Sequence, residues 1–272
     1  MDPLYHIGKA DRMGARYAIL PGDPGRVEKI ARMLENPRFL CRNREYETWL
    51  GFLEGEPVIC MSTGMGGPSA AIGVEELFTA GVRTFVRIGT CGGIALPVKG
   101  GDLVVANAAV RMEGTSKEYV PVEFPAVSNF QVTAALLAAA RETGLTVHCG
   151  VVQCKDSFYG QHNPLRMPAA AELTAKWEAW KKAGCLGSEM ESAAVFIVSQ
   201  ILGARAGCVL RVIANQERAA AGLDNPECYD TTPAIRTAVE AIRLLIREEA
   251  EEKSAQPYDS CCQQENDHEK LE

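Results

Sequence analysis

Along most of the chain a short apolar run is followed by a glycine-bearing turn and then by a segment with helical spacing. Tyr17-Ala-Ile-Leu20 predicts a strand. Pro21-Gly-Asp-Pro-Gly-Arg26 follows, and a helix is expected from about Pro24 to Leu34, with Asp23 as N-cap and Pro24 at the first helical position. The stretches 41–53 and 57–61 read as a strand pair. Ser62-Thr-Gly-Met-Gly-Gly-Pro-Ser69 is a second glycine turn, opening an apolar helix that runs from Ser69 to Ala80. Thr84-Phe-Val-Arg-Ile88 is a buried strand, expected to stop at Gly89-Thr-Cys-Gly-Gly93, a stretch too glycine-rich to continue a sheet. Further strands are expected over 102–110, 147–153 and 208–214, and helices over 130–143, 169–183 and 192–202. Residues 113–129, with Pro121 and Pro125, read as a long loop. Thr232-Pro233 opens a last helix, whose apolar stripe is Ile235, Val239, Ile242 and Ile246.

The alternation predicts an α/β fold: one domain over residues 1–252, with a central mixed, twisted β-sheet and helices on both faces. Residues 253–272 show no periodicity and are expected to form a disordered acidic tail.

Composition narrows the class. The 272 residues are 47% hydrophobic and 23% charged, ordinary for a globular domain with a sizeable core. No apolar run reaches the roughly 18–20 residues of a membrane span. The start, Met1-Asp-Pro-Leu-Tyr-His6, has neither the basic nor the apolar segment of a signal peptide. The ten cysteines form no CxxC or Cys/His zinc spacing, which suits reduced thiols in a cytoplasmic protein. The formal charge is −7, but residues 247–272 carry nine acidic and three basic side chains, so the body is near neutral. Nothing in that balance favours nucleic acid or an anionic membrane.

The candidate chemistry lies at the ends of the strands. Ligands of open α/β sheets gather at the carboxyl ends of strands, and a helix N-terminus behind a glycine turn is suited to an anion. Gly22 and Arg26 occupy such a turn, although Arg26 is poorly placed for the helix dipole. Arg87 is a charge inside an apolar strand and requires an anion: a bound phosphate or carboxylate, or a structural carboxylate under a loop.

Five motifs in register, Pro21–Arg26, Arg44-Glu45, Ser62–Ser69, Arg87–Gly92 and Glu189-Met190-Glu191-Ser192, resemble those of the nucleoside phosphorylases that assemble as trimers of dimers. The resemblance covers about residues 4–246, and it is strongest to the uridine-cleaving branch. It implies a pentosyltransferase of pyrimidine salvage, in which phosphate attacks C1′ of uridine and releases uracil and ribose 1-phosphate. Phosphate is then a co-substrate, held by Gly22, Arg26, Arg87 and Thr90, with Arg44 arriving from a neighbouring subunit. His6, Thr90, Glu189, Met190 and Glu191 are implied at the ribose, His6 again from the neighbour. Gly92, Phe158, Gln161, Arg166 and Ile213 are implied at the base. Arg26, Arg87, Gln161 and Glu191 would carry catalysis. No cofactor is required; Glu45, Met65 and Ser69 match positions around a structural potassium ion between subunits. The partners implied are nucleoside, phosphate and further copies of the chain, as a homodimer or homohexamer.

The chain departs from the pattern at the base. Asn163 and Gln216 stand where arginines are expected, and Phe158-Tyr-Gly-Gln161 is one residue short. The uracil anion would then rely on Gln161, on Arg166 or Arg211, and on water. Asn215 stands in place of the acid with which the family's purine enzymes protonate their leaving group, and an amide cannot do that. A purine phosphorylase of the same family, or a nucleoside-binding protein without turnover, are the alternatives.

Overall fold

In the computed structural model, residues 4–255 are described. The acidic segment 256–272 lies outside the described residues.

Strand β1 (Tyr17–Pro21) is followed by a 3-10 turn at Pro24–Arg26 and a short helix α1 (Val27–Ala31). Asp23 caps the turn as expected, accepting from the Gly25 N–H at 2.8 Å. The helix is shorter than its sequence pattern because a third strand precedes the expected pair: β2 (Glu35–Asn43) already begins at Glu35. It pairs with β3 (Tyr46–Leu53), which pairs with β4 (Glu56–Met61), both antiparallel. Helix α2 (Gly67–Thr79) leads to β5 (Thr84–Gly93), and β6 (Leu103–Arg111) follows.

The expected long loop holds α3 (Thr115–Tyr119) and the two-residue strand β7 (Ala126–Val127). Arg111 organises it by donating to the carbonyls of Ser116, Val120, Pro121 and Phe124. Then come α4 (Phe130–Arg141), β8 (Val147–Cys154), α5 (Phe158–His162) and α6 (Ala170–Lys182). The chain continues through β9 (Gly187–Glu189), α7 (Ser192–Ile201), β10 (Arg205–Asn215), α8 (Gln216–Ala220) and α9 (Thr232–Ala255). Helix α9 runs three residues beyond the boundary expected at Glu252.

The strands form one mixed sheet in the order β10-β6-β8-β9-β5-β1-β4-β3-β2. Because β10 also pairs with β5, the five strands at one end close into a small barrel. Two apolar layers cover the sheet. Val74, Leu77, Phe196 and Val198 of α2 and α7 pack on one face. Ile30, Leu136, Ile242 and Leu245 of α1, α4 and α9 pack on the other.

Strand β5 is the centre of this arrangement, parallel to β1 on one side and to β10 on the other. It does not stop at Ile88. The glycine stretch stays in the sheet because Gly92 and Gly93 pair with Ser188 and Gly187 of β9, while β10 runs alongside as far as Asn215. The glycines permit this instead of preventing it: a Cβ on Gly93 would lie 2.7 Å from Asn215 Nδ2.

Candidate active site

The carboxyl ends of β1, β5, β8 and β9 and the turns beyond them enclose a cavity of about 910 Å³. At one end the first two glycine turns meet. Gly22 lies so close to the second turn that a Cβ there would come within 3.1 Å of the Gly64 carbonyl and 4.0 Å of Arg87 Nη1. Arg26 and Thr90 also line this end. Burial lowers the Arg26 pKa, and repulsion from Arg87 adds to the drop. Two guanidiniums therefore face one space.

Arg87 is almost fully buried, and structural carboxylates meet its charge. Its Nε donates to Glu189 at 3.1 Å and its Nη2 to Glu191 at 2.5 Å. Burial alone would lower the Arg87 pKa; attraction from Glu191 and Glu189 raises it instead. The third nitrogen, Nη1, has no hydrogen bond among the described residues and faces Gly22.

The two glutamates differ in role. Glu189 ends β9 and caps α7, accepting from the Glu191 N–H at 2.9 Å, from the Ser192 N–H and from Ser192 Oγ at 2.5 Å. Although burial opposes its charge, Arg87 and these donors hold its pKa down. Glu189 is thus the carboxylate that serves the start of α7. Glu191 instead accepts from the Gly66 N–H at 2.6 Å and from Arg87, in the wall of the cavity. Burial, helped by the charge on Glu189, pushes its pKa up. A carboxylate has about four lone-pair sites, so two remain for a ligand with adjacent hydroxyls. Met190 lies beside it.

The other end of the cavity has an apolar wall. Gly92, Ile213, Phe158 and Gln161 line it, with Phe158 half exposed at the rim. Gln161 Oε1 accepts from Ser188 Oγ at 2.6 Å, and Lys155 Nζ donates to the same hydroxyl at 2.5 Å. Lys155 is 5% exposed, and burial lowers its pKa. Behind this wall is a second chamber of about 470 Å³, which shares Lys155, Gln161 and Gln216 with the first and is roofed by Leu173 and Trp177 of α6.

Four expected site residues lie away from the cavity. Arg166 sits over the Tyr159 ring, 5.3 Å from its centroid. Arg44 is exposed, with a positive φ of 54°, and lies over Tyr5. His6 is held by Glu76, with Nδ1 2.6 Å from Oε1. Ser69 donates to Glu45 Oε1 at 2.7 Å, while Glu45 itself and the largely exposed Met65 reach the cavity.

Asn215 does not face the cavity. Its Nδ2 donates to the Ala95 and Val98 carbonyls, both at 2.9 Å, and its Oδ1 caps α8. The side chain that does reach the base end from this turn is Gln216. The argument from a missing acid therefore moves to Gln216, which has no titratable proton either. Arg211 is buried behind, with Nη2 3.3 Å from Cys228 Sγ.

Sequence reasoning missed Lys155, Ser188 and Asn225, all lining the cavity. Lys155 left one signal, a lysine immediately after an apolar strand, at the end where ligands gather. Ser188 and Asn225 left none, since only the folding of β9 and of the segment before α9 brings them there.

Residues 16–247 match the family model described as the phosphorylase superfamily. The chain is 55% identical to the uridine phosphorylase of Treponema pallidum (strain Nichols), over 92% of this chain and 96% of that protein. It is 43% identical to the uridine phosphorylase of Escherichia coli (strain K12), over 89% of this chain and 98% of that one. The guanosine phosphorylase of Halorubrum lacusprofundi is 39% identical over 73% of this chain and 78% of its own length.

Proposed function

Because the chain belongs to the phosphorylase superfamily, we propose that its cavity carries out the phosphorolysis of uridine to uracil and ribose 1-phosphate. One observation carries this reading: Arg26 and Arg87 share one end of a cavity whose middle presents Glu191 and whose far end presents an amide on an apolar wall. Phosphate is already anionic, so its attack on C1′ needs orientation and charge stabilisation rather than a base. Gly22, Arg26, Arg87 and Thr90 supply the orientation. Glu191 accepts from the ribose hydroxyls, and Gln161 offers one donor and one acceptor to the edge of a pyrimidine. The curated uridine phosphorylases that the chain matches over nearly its whole length support the same substrate.

Arg44 and His6 belong to this site only when a second copy supplies them, so the working unit is at least a dimer, and a hexamer if the family's assembly is kept. Among the described residues no helix is long and apolar enough to cross a membrane. Eight cysteines of the described residues are unpaired, which supports a reducing, cytoplasmic setting. The Glu45 carboxylate and Ser69 hydroxyl suit a hard cation such as potassium, whereas Met65 could contribute only its carbonyl. These residues would hold the ion at a subunit boundary, and its part is structural.

The test is a nucleoside assay with and without phosphate, followed by base absorbance. Uridine should be consumed only with phosphate, and inosine or guanosine at least ~10²-fold more slowly, because a purine leaves poorly without an acid. Cleavage without phosphate would make the chain a hydrolase. A faster purine reaction would favour the activity named for the Halorubrum relative.

A further inference from the structure

The base end of the cavity lacks the arginines expected there, and the structure replaces them with nothing from the same turns. Arg166 is occupied outside, over Tyr159. Arg211 is buried behind Cys228 and does not line the cavity. Gln216 is neutral. Yet the reaction places a full charge at this end: the C1′–N1 bond breaks with both electrons going to N1, while an oxygen of phosphate bonds to C1′. The uracil anion spreads its charge over N1 and the ring carbonyls until solvent protonates it.

Among the described residues, one cation lines the base end, and that is Lys155. Its Nζ donates to Ser188 Oγ at 2.5 Å, and that hydroxyl is 2.6 Å from Gln161 Oε1 and from Gln153 Oε1. Its backbone is tied to the same place, since the Lys155 N–H donates to the Glu189 carbonyl at 3.1 Å. An ammonium has three donors, and Ser188 uses one. A buried lysine without a direct carboxylate partner is costly to maintain. Glu189 attracts it at a distance but gives its own oxygens to Arg87 and α7. Holding such a charge on the wall shared by both chambers makes sense if negative charge appears beside it.

We propose that Lys155 is a catalytic residue of this site, donating a hydrogen bond to a ring carbonyl of the departing pyrimidine and stabilising the anion as it forms. Ser188 aims the ammonium and couples it to Gln161, so both groups act on the same base. Lys155 keeps its proton throughout. The proposal rests on the phosphorolysis reading above, and its experiment separates the two.

Uridine and 5-fluorouridine are compared as substrates for the wild-type chain and for Lys155→Met and Lys155→Arg. The methionine has similar length and no charge. Fluorine makes the departing base more acidic, so it depends less on outside stabilisation. Lys155→Met should lose at least ~10²-fold in kcat on uridine, comparable with removal of one preorganised donor, with the KM for phosphate little changed. On 5-fluorouridine the loss should be under ~10-fold, and Lys155→Arg should recover part of the uridine rate. The comparison within one variant is unaffected if that variant folds less well, since both substrates see the same fraction folded. Undiminished uridine turnover by Lys155→Met, or an equal loss on both substrates, would overturn the role of Lys155. A wild-type chain that leaves both nucleosides intact with phosphate present would overturn the phosphorolysis reading itself.

Discussion

Arg87 is a structural cation, and on the proposed reading also the receptor of the phosphate, so its two roles have separate costs on removal. Arg87→Ala takes away a guanidinium facing the phosphate end, which should lower kcat/KM by at least ~10²-fold. It also leaves Glu189 and Glu191 without their shared partner inside the protein. Stranding a buried charge in this way costs about 3–5 kcal/mol, so the melting temperature should fall clearly as well. Steady-state kinetics and calorimetry on the same preparation read the two effects. A variant that melts like the wild type would mean that the carboxylates tolerate the loss and that the ion pair is dispensable. Arg26→Ala is the contrast. Its nearest carboxylate is Asp23 at 3.9 Å, a loose and partly exposed pair, so activity should drop with little change in stability.

At the scale of elements, the turn from β10 into α8 shows how a side chain can be legible in the sequence and still misplaced. Asn215 follows an apolar strand at the end where ligands bind, so it is a natural candidate for the pocket. In the fold its side chain lies against Gly93, and its amide is used up on Ala95, Val98 and the cap of α8. Asn215→Ala should therefore cost stability, by about 1–3 kcal/mol, through two orphaned carbonyls and a lost cap. The ratio of uridine to inosine cleavage should stay the same. A changed ratio at unchanged stability would return Asn215 to the base pocket. The alternation of strands and helices, the cap at Asp23 and the clustering of glycine turns around Arg87 were readable because each rests on local patterning. The continuation of β5 through Gly93, the closure of β10 onto β5 and the arrival of Ser188 were not. Those features arise from pairing between segments roughly a hundred residues apart, which no local period records.

The whole molecule keeps Arg44 and His6 outside the cavity that should use them, and subunit mixing tests this directly. Arg44→Ala subunits and Arg26→Ala subunits should each be nearly inactive alone. Dissociated and reassembled together, they should regain roughly a quarter of wild-type activity, because half of the random dimers then hold one intact site of two. No gain on mixing would place Arg44 outside the neighbour's site.

The two ends of the cavity are also built on different supports. On the proposed reading, the phosphate end hangs on the buried strands β1 and β5, whereas the base end is closed by the exposed segment around α5, including Tyr159, Leu165 and Arg166. On that reading, one end would act as a fixed floor and the other as a threshold over which the nucleoside enters and the free base leaves. Exposed segments of this kind are where proteases cut first. Brief trypsin treatment should nick the chain after Arg166, and the nicked protein should lose its affinity for uridine while phosphate still raises its melting temperature. The floor would then outlast the threshold.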